Sequence, residues 1–355
     1  MKPRLIPARH GFAIRDLLAL AASLALLTAL AVPHNAAADG SNRFTICMSR
    51  LKSLGITNAK FANDNQDRIA TPRSRNGQTV TYGSPGLGIT VTYGNSTFDE
   101  ARAPGDFAVD AIRRLGNRPD LNRIESWVAG PYYTPIALAA YDNERLPSPR
   151  FACPEDANLL AWQANPLNFN NIGVPSPVPP GSLSNHDKRW PYSSSYTMAG
   201  SAWSNDRFSS TAGAWNMNNA TTFIRRGGLT PNRGDIGHRR MSEVMFPGRK
   251  VHLWDRGARH FVTRAVYWNF ENTKQPMLYF DGATRTTRTG ATDRGWDWAN
   301  PDIPNRTFNY VFEINSAAQE WMPGFPNGQA RGSQVFSAAY FAMTRGGLKG
   351  FDLPQ

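Results

Sequence analysis

The feature that most constrains this chain is an uncharged apolar run, LLALAASLALLTALAV, from Leu17 to Val32. Lys2, Arg4 and Arg9 precede it, and residues 1–11 hold no acid. A basic flank before an apolar run sends a segment to a membrane with its amino end in the cytoplasm. As a helix the run is about 24 Å long, short of a hydrocarbon core of roughly 30 Å. Started at Phe12 it reaches about 31 Å and spans. The longer helix carries Arg15 and Asp16 near its cytoplasmic end, where they snorkel or pair.

Two processing routes fit this segment. Ala36-Ala37-Ala38, after the helix-breaking Pro33, satisfies the small-residue rule of signal peptidase. Cleavage after Ala38 releases a soluble chain beginning at Asp39; the alternative reading is then a secreted or signal-anchored extracytoplasmic binding protein, with carbohydrate as the candidate ligand and the helix only a targeting device. Cleavage after Gly11 instead leaves the helix over 12–32 on the mature protein.

Gly11-Phe12 before an apolar helix, with Asp16 and Pro33 beyond, resembles the amino terminus of type IV pilin-like proteins and type II secretion pseudopilins. The resemblance implies that a prepilin peptidase cuts between Gly11 and Phe12 and that the new amino group is methylated. It also implies that Asp16, the fifth mature residue, guides assembly with other pilin-like subunits. The family acid is usually Glu, and Arg15 is an unusual neighbour for it. Residues 47–68, CMSRLKSLGITNAKFANDNQDR, extend the resemblance. They are similar to the segment that follows the pilin helix in the large pilin-like families of planctomycete-type bacteria. Cys47, Leu51, Lys52, Leu54, Gly55, Phe61, Ala62, Asp64 and Asn65 occupy matching places. Further on, Cys153-Pro154-Glu155 resembles that group's Cys-Pro-x-Asp element, and Asp281-Gly282 its Asp-Gly strand-turn. The histidine expected ten residues before the Asp is Glu271 here.

The implied fold is α+β and pilin-like: a long N-terminal helix, apolar then amphipathic, packed on an antiparallel β-sheet domain with long loops. The implied organisation is a cytoplasmic leader over 1–11, a transmembrane helix over 12–32, its exported amphipathic half over 33–70, and a loop-rich β-dominated domain over 71–355. The implied location is the inner membrane, single-pass, with the globular part outside the cytoplasm.

Residue patterns add detail. Phe44, Cys47, Met48, Leu51, Leu54 and Phe61 recur at helical spacing, with basic residues between. Gly40, Ser41 and Asn42 are poor helix formers and, with Pro33, predict a break before that helix. TVTY at 79–82, ITVTY at 89–93 and RIESWVAG at 123–130 read as strands. A helix is predicted from about Asp99 to Leu115, interrupted at Pro104. Residues 165–192 read as a long surface loop. RKVHLWD (249–255), RAVYWNF (264–270) and PMLYFDG (276–282) predict consecutive strands of one antiparallel sheet.

Chemistry is sparsely signalled. No GxxxxGK[ST], HExxH or GxSxG occurs, so no catalytic residue is assigned and no enzyme is expected, an extracytoplasmic hydrolase being the third and weakest reading. Two cysteines exclude an all-cysteine zinc site. Cys47 and Cys153 are candidates for one disulfide, since exported pairs tend to be oxidised. Such a bridge closes a loop of about 107 residues and contributes roughly 4–5 kcal/mol in the entropic account. The alternative is two buried small hydrophobes. His252 and His260 read as core or surface histidines, so neither metal nor cofactor is expected. Asp293, Asp297 and Asp302 share a loop, and some pseudopilins hold calcium in such a loop. Their spacing is not that of an EF-hand, which leaves them as solvated carboxylates. The ten tryptophans are read as core of a loop-rich sheet domain. The formal charge is +12, three of it in the leader. The rest reads as a solvated basic face, with no nucleic-acid partner expected.

Overall fold

The computed structural model describes residues 40–82, 89–94, 102–124, 127, 129, 131–203, 214–216, 237–296, 303, 309–313 and 334–354. The chain divides into a unit of residues 1–45 and a unit of residues 46–355. In the first unit the described residues, 40–45, are helical, and Thr45 Oγ1 donates to the Ser41 carbonyl at 2.9 Å. Gly40, Ser41 and Asn42 are helical themselves, and the stretch from Pro33 to residue 39, where a break is expected, lies outside the described residues.

Helix α1 covers 40–64. Cys47, Leu51, Leu54, Asn58, Phe61 and Ala62 are buried, whereas Lys52, Lys60 and Asp64 are exposed. That is the stripe of three- and four-residue steps expected of an amphipathic helix. The helix stops where Gln66 and Asp67 take positive φ, with Asp67 N–H bonded to the Ala62 carbonyl at 2.8 Å. Asn65 Nδ2 donates to the Phe61 carbonyl at 2.8 Å, so a C-terminal orphan carbonyl is satisfied.

Strands β1 (Thr79–Tyr82) and β2 (Ile89–Thr92) form where strands are expected, and they pair antiparallel. Helix α2 (Ala103–Leu115) has Pro104 in its first turn, where a missing N–H costs nothing. Pro104 thus starts the helix; the predicted interruption is corrected. Of residues 123–130, the described Arg123, Ile124, Trp127 and Ala129 take no regular structure, so no strand is seen there. Helices α3 (Ile136–Asp142) and α4 (Ala157–Ala164) follow, neither anticipated. Asp156 caps α4 by accepting from the Leu159 N–H. The expected loop over 165–192 is mostly irregular, with short 3-10 turns at Phe169–Asn171 and Asp187–Tyr192.

The central sheet comes next. It combines β3 (Tyr196–Met198), β5 (Val251–Asp255), β8 (Lys274–Tyr279) and β9 (Thr284–Arg288), in the order β3-β5-β8-β9, all antiparallel. Strand β4 (Ala214–Asn216) lies parallel to β10 (Asn309–Glu313), which pairs antiparallel with β11 (Gln334–Ala338). RAVYWNF does not enter the central sheet. Only Val266–Tyr267 (β7) is strand, paired with β6 (Gly257–Ala258), so β5 meets β8 directly. The described residues thus make a mixed α+β fold.

A register shift in β5 between Val251 and Leu253 sets the two faces of the sheet. A bulge changes the alternation of side chains, so Val251 and Trp254 share one core cluster despite their odd spacing. Leu253 joins the opposite cluster, with Cys47, Leu51 and Leu54 of α1 and Leu278 of β8. Gly55 permits the close approach: a Cβ there would stand 2.9 Å from Leu278 Cδ1. Trp127, Trp162, Trp203, Trp254 and Trp268 are all buried, in the core role read for the tryptophans.

Candidate functional site

At the start of the buried stripe of α1, four side chains from separate parts of the chain converge. Cys47 Sγ, Cys153 Sγ, a carboxylate oxygen of Asp255 and a ring nitrogen of His260 all lie within 4.8 Å of one another. Both cysteines are wholly buried and present as free thiols, and Asp255 is wholly buried as well. His260 is half-buried.

Local structure explains each position. Cys47 lies one turn before Leu51 on the inner face of α1. Cys153 follows the 3-10 turn Pro149–Phe151, which Ser148 caps. Arg50 Nη1 donates to the Ala152 carbonyl at 2.8 Å and ties that segment to the helix. Ser195 Oγ accepts from the Cys153 N–H at 2.9 Å and donates to Asp156 Oδ2 at 2.7 Å. Asp255 ends β5 two residues after Leu253, and strand alternation turns it to the α1 face of the sheet. Its register partner on β3 is Tyr196, whose hydroxyl lies 3.3 Å from Cys47 Sγ. His260 Nε2 lies 3.2 Å from Cys153 Sγ.

Arg259 organises the acids. One Nη donates to Asp255 Oδ1 and the other to Asp156 Oδ2 at 2.7 Å. The Gly257 N–H also donates to Asp255 Oδ1, at 2.9 Å. Asp255 Oδ2 is buried and has no hydrogen-bond partner among the described residues.

Burial dominates the protonation of the group. It pushes the Cys153 thiol well above its usual range, with the Cys47 thiol beside it adding to the rise. Burial also raises the Asp255 carboxyl, against the pull of Arg259. It lowers Arg259 in turn, but Asp156 and Asp255 outweigh it and hold the guanidinium charged. A buried, protonated thiol is a poor nucleophile. The arrangement therefore suits linking or ligation better than covalent catalysis. Ser195, spent on Asp156 and fully buried, is no hydrolytic serine either.

The remaining sequence candidates separate clearly. Leu51, Leu54 and Gly55 pack α1, while Lys52 is exposed. Asp64 accepts from the Tyr141 hydroxyl, and Asn65 Oδ1 from Arg73 Nη2 at 2.6 Å. Asp281 and Gly282 form the β8–β9 hairpin turn. Gly282 has φ +81°, and Asp281 Oδ1 accepts the Ala283 N–H at 2.9 Å. Asp293 Oδ1 accepts the Gly295 N–H; Asp297 and Asp302 lie outside the described residues. So do Gly11, Phe12, Asp16 and Pro33. Among the described residues no helix is long and apolar enough to cross a membrane, and the apolar run is not among them.

The sequence places Asp255 between His252 and His260 and pairs the two cysteines with each other, but nothing in it joins the cysteines to Asp255 and His260. The one local signal is the D-x-x-x-x-H spacing at the end of a strand, which is too common to point anywhere alone. A cleft of about 520 Å³ beyond the end of α1, lined by Arg68, Arg73, Arg75 and His238 among others, is basic and open. Arg68 Nη1 lies 2.7 Å from His238 Nδ1 there. No protein-family model matches the chain, and neither curated proteins nor solved structures give a match.

Proposed function

We propose that this chain is a pilin-like or pseudopilin-like subunit of a type IV pilus or type II secretion-type filament. In this reading a prepilin peptidase cuts after Gly11, and the helix over 12–32 anchors the protein in the inner membrane. The globular part lies outside the cytoplasm. The role is structural and not enzymatic, and its partners are other pilin-like subunits and the lipid membrane, not nucleic acid.

The observation that carries the reading is the use made of the motif in α1. Cys47, Leu51 and Leu54 are wholly buried against an antiparallel sheet, and Gly55 lets the helix approach Leu278. Asp64 and Asn65 fall at the end of the helix, where the chain must turn away. A pilin subunit needs such a helix, fixed along one side to its own domain so that the apolar part can project. An acid buried among apolar helices is costly unless paired, and the freed amino group of a neighbouring Phe12 supplies the partner of Asp16.

Mass spectrometry of the mature amino terminus from native membranes tests the route. N-methylated Phe12 is expected; Asp39 as the first residue overturns the proposal and leaves an ordinary exported binding protein. Asp16→Ala is expected to be cleaved yet excluded from filaments, and Gly11→Leu to remain unprocessed.

A further inference from the structure

We propose that Cys47, Cys153, Asp255 and His260 form a closed structural site for one thiophilic divalent cation of the zinc class. Two sulfurs, one imidazole nitrogen and one carboxylate oxygen are a donor set that tetrahedral zinc accepts. With metal–sulfur bonds near 2.3 Å and metal–nitrogen or –oxygen bonds near 2.0–2.1 Å, neighbouring ligand atoms stand about 3.3–3.8 Å apart. The four ligand atoms here already lie within 4.8 Å of one another, and His260 Nε2 is 3.2 Å from Cys153 Sγ. Closing the site takes at most about 1–1.5 Å along its longest edge, which side-chain torsions supply.

Asp255 gives the independent argument. Its Oδ1 is held by Arg259 and the Gly257 N–H, while Oδ2 is buried with no hydrogen-bond partner among the described residues. A buried carboxylate oxygen left unsatisfied carries its full desolvation penalty, and a cation bound there removes it. The surroundings have the form of an outer shell that orients ligands. Arg259 fixes Asp255 as a one-oxygen ligand, and the Tyr196 hydroxyl stands 3.3 Å from Cys47 Sγ. Two thiolates and a carboxylate exceed a divalent cation by one negative charge, which the guanidinium of Arg259 offsets. Half-buried His260 is the way in for the ion. Binding releases the two thiol protons to solvent.

The metal and a Cys47–Cys153 disulfide are alternative fates of the same two sulfurs, since ligation takes both thiolates out of exchange. The test uses the full chain purified from its native membranes without reductant. Bound zinc is measured by elemental analysis and thiol state by mass spectrometry after alkylation. Near one zinc per chain is expected, with both cysteines alkylated once a chelator is present. Replacement with Co²⁺ should then give the visible absorption and thiolate charge-transfer bands of a tetrahedral site. His260→Ala, at the least buried ligand, should weaken Co²⁺ binding at least about 10-fold with the far-ultraviolet circular dichroism unchanged. Cys153→Ser should abolish the charge-transfer band attributable to that sulfur. An intact Cys47–Cys153 disulfide in the isolated protein overturns the proposal. So do free thiols that take up neither Zn²⁺ nor Co²⁺, or a cobalt spectrum unchanged in His260→Ala.

Discussion

Lys250 Nζ lies 3.1 Å from Asp352 Oδ2, and neither side chain is exposed at all. Asp352 also accepts the Val251 N–H at 2.8 Å and the Thr344 hydroxyl, so the start of β5 is pinned to a distant tail segment. Breaking a buried pair strands one charge, whereas replacing both partners by apolar groups removes the problem. Asp352→Asn is expected to cost about 3–5 kcal/mol in urea unfolding. Lys250→Met with Asp352→Leu is expected to cost less than that single change. A double variant as unstable as the sum of its single changes would show that the pair is held for more than charge neutrality.

Gly55 supports a second expectation. In a helix, Gly→Ala gains roughly 0.5–1 kcal/mol from backbone entropy. Here the new methyl meets the end of the Leu278 side chain at 2.9 Å, and that end can yield a few tenths of an ångström. Gly55→Ala should therefore be near neutral. Gly55→Val should lose about 1–3 kcal/mol by overpacking. Adding Leu278→Ala to Gly55→Val should recover part of that loss, read as a coupling of about 0.5–3 kcal/mol in a double-mutant cycle. Strict additivity would mean that the helix does not rest on β8 at this point.

His252 makes the fold sensitive to acid. Complete burial against Phe280, with ring centroids 4.3 Å apart, pushes its pKa down to about 3. The unfolded chain titrates this group near 6.5. Between those values the unfolded state binds a proton that the folded state refuses. The stability owed to neutral His252 is thus complete above about pH 6.5 and falls by roughly 1.4 kcal/mol per unit as pH drops toward 3. From pH 6.5 to pH 5 the wild type should lose about 2 kcal/mol more than His252→Phe. Parallel pH profiles for the two proteins would contradict this.

What the sequence revealed follows from where each signal resides. The inner face of α1 was legible because Cys47, Leu51, Leu54 and Phe61 repeat at the helical period and are all buried. Strands β5 and β8 were legible as apolar runs. Strand β9, TRTTR, was not: as an outer strand its Thr286 and Arg288 are exposed, and it lacks an apolar face that alternation would reveal. Pro104 misled because a proline breaks a helix interior but is welcome in the first turn. Helix α4 was not legible because its eight residues, ANLLAWQA, are too few and too evenly apolar to show a helical stripe. The four-ligand cluster was illegible for another reason. Its members come from a helix, a loop, a strand end and a turn, and no sequence pattern links residues so far apart along the chain.

The pin between Lys250 and Asp352 also imposes a schedule. The two residues are 102 apart in sequence, a stretch that takes roughly 5–20 s to synthesise at about 5–20 residues per second. Through that interval β5 exists without the carboxylate that neutralises its lysine, and Leu253 and Trp254 have no finished core to enter. Closure around Lys250 therefore waits until residue 352 is made, which places this pin among the last contacts of the fold to form.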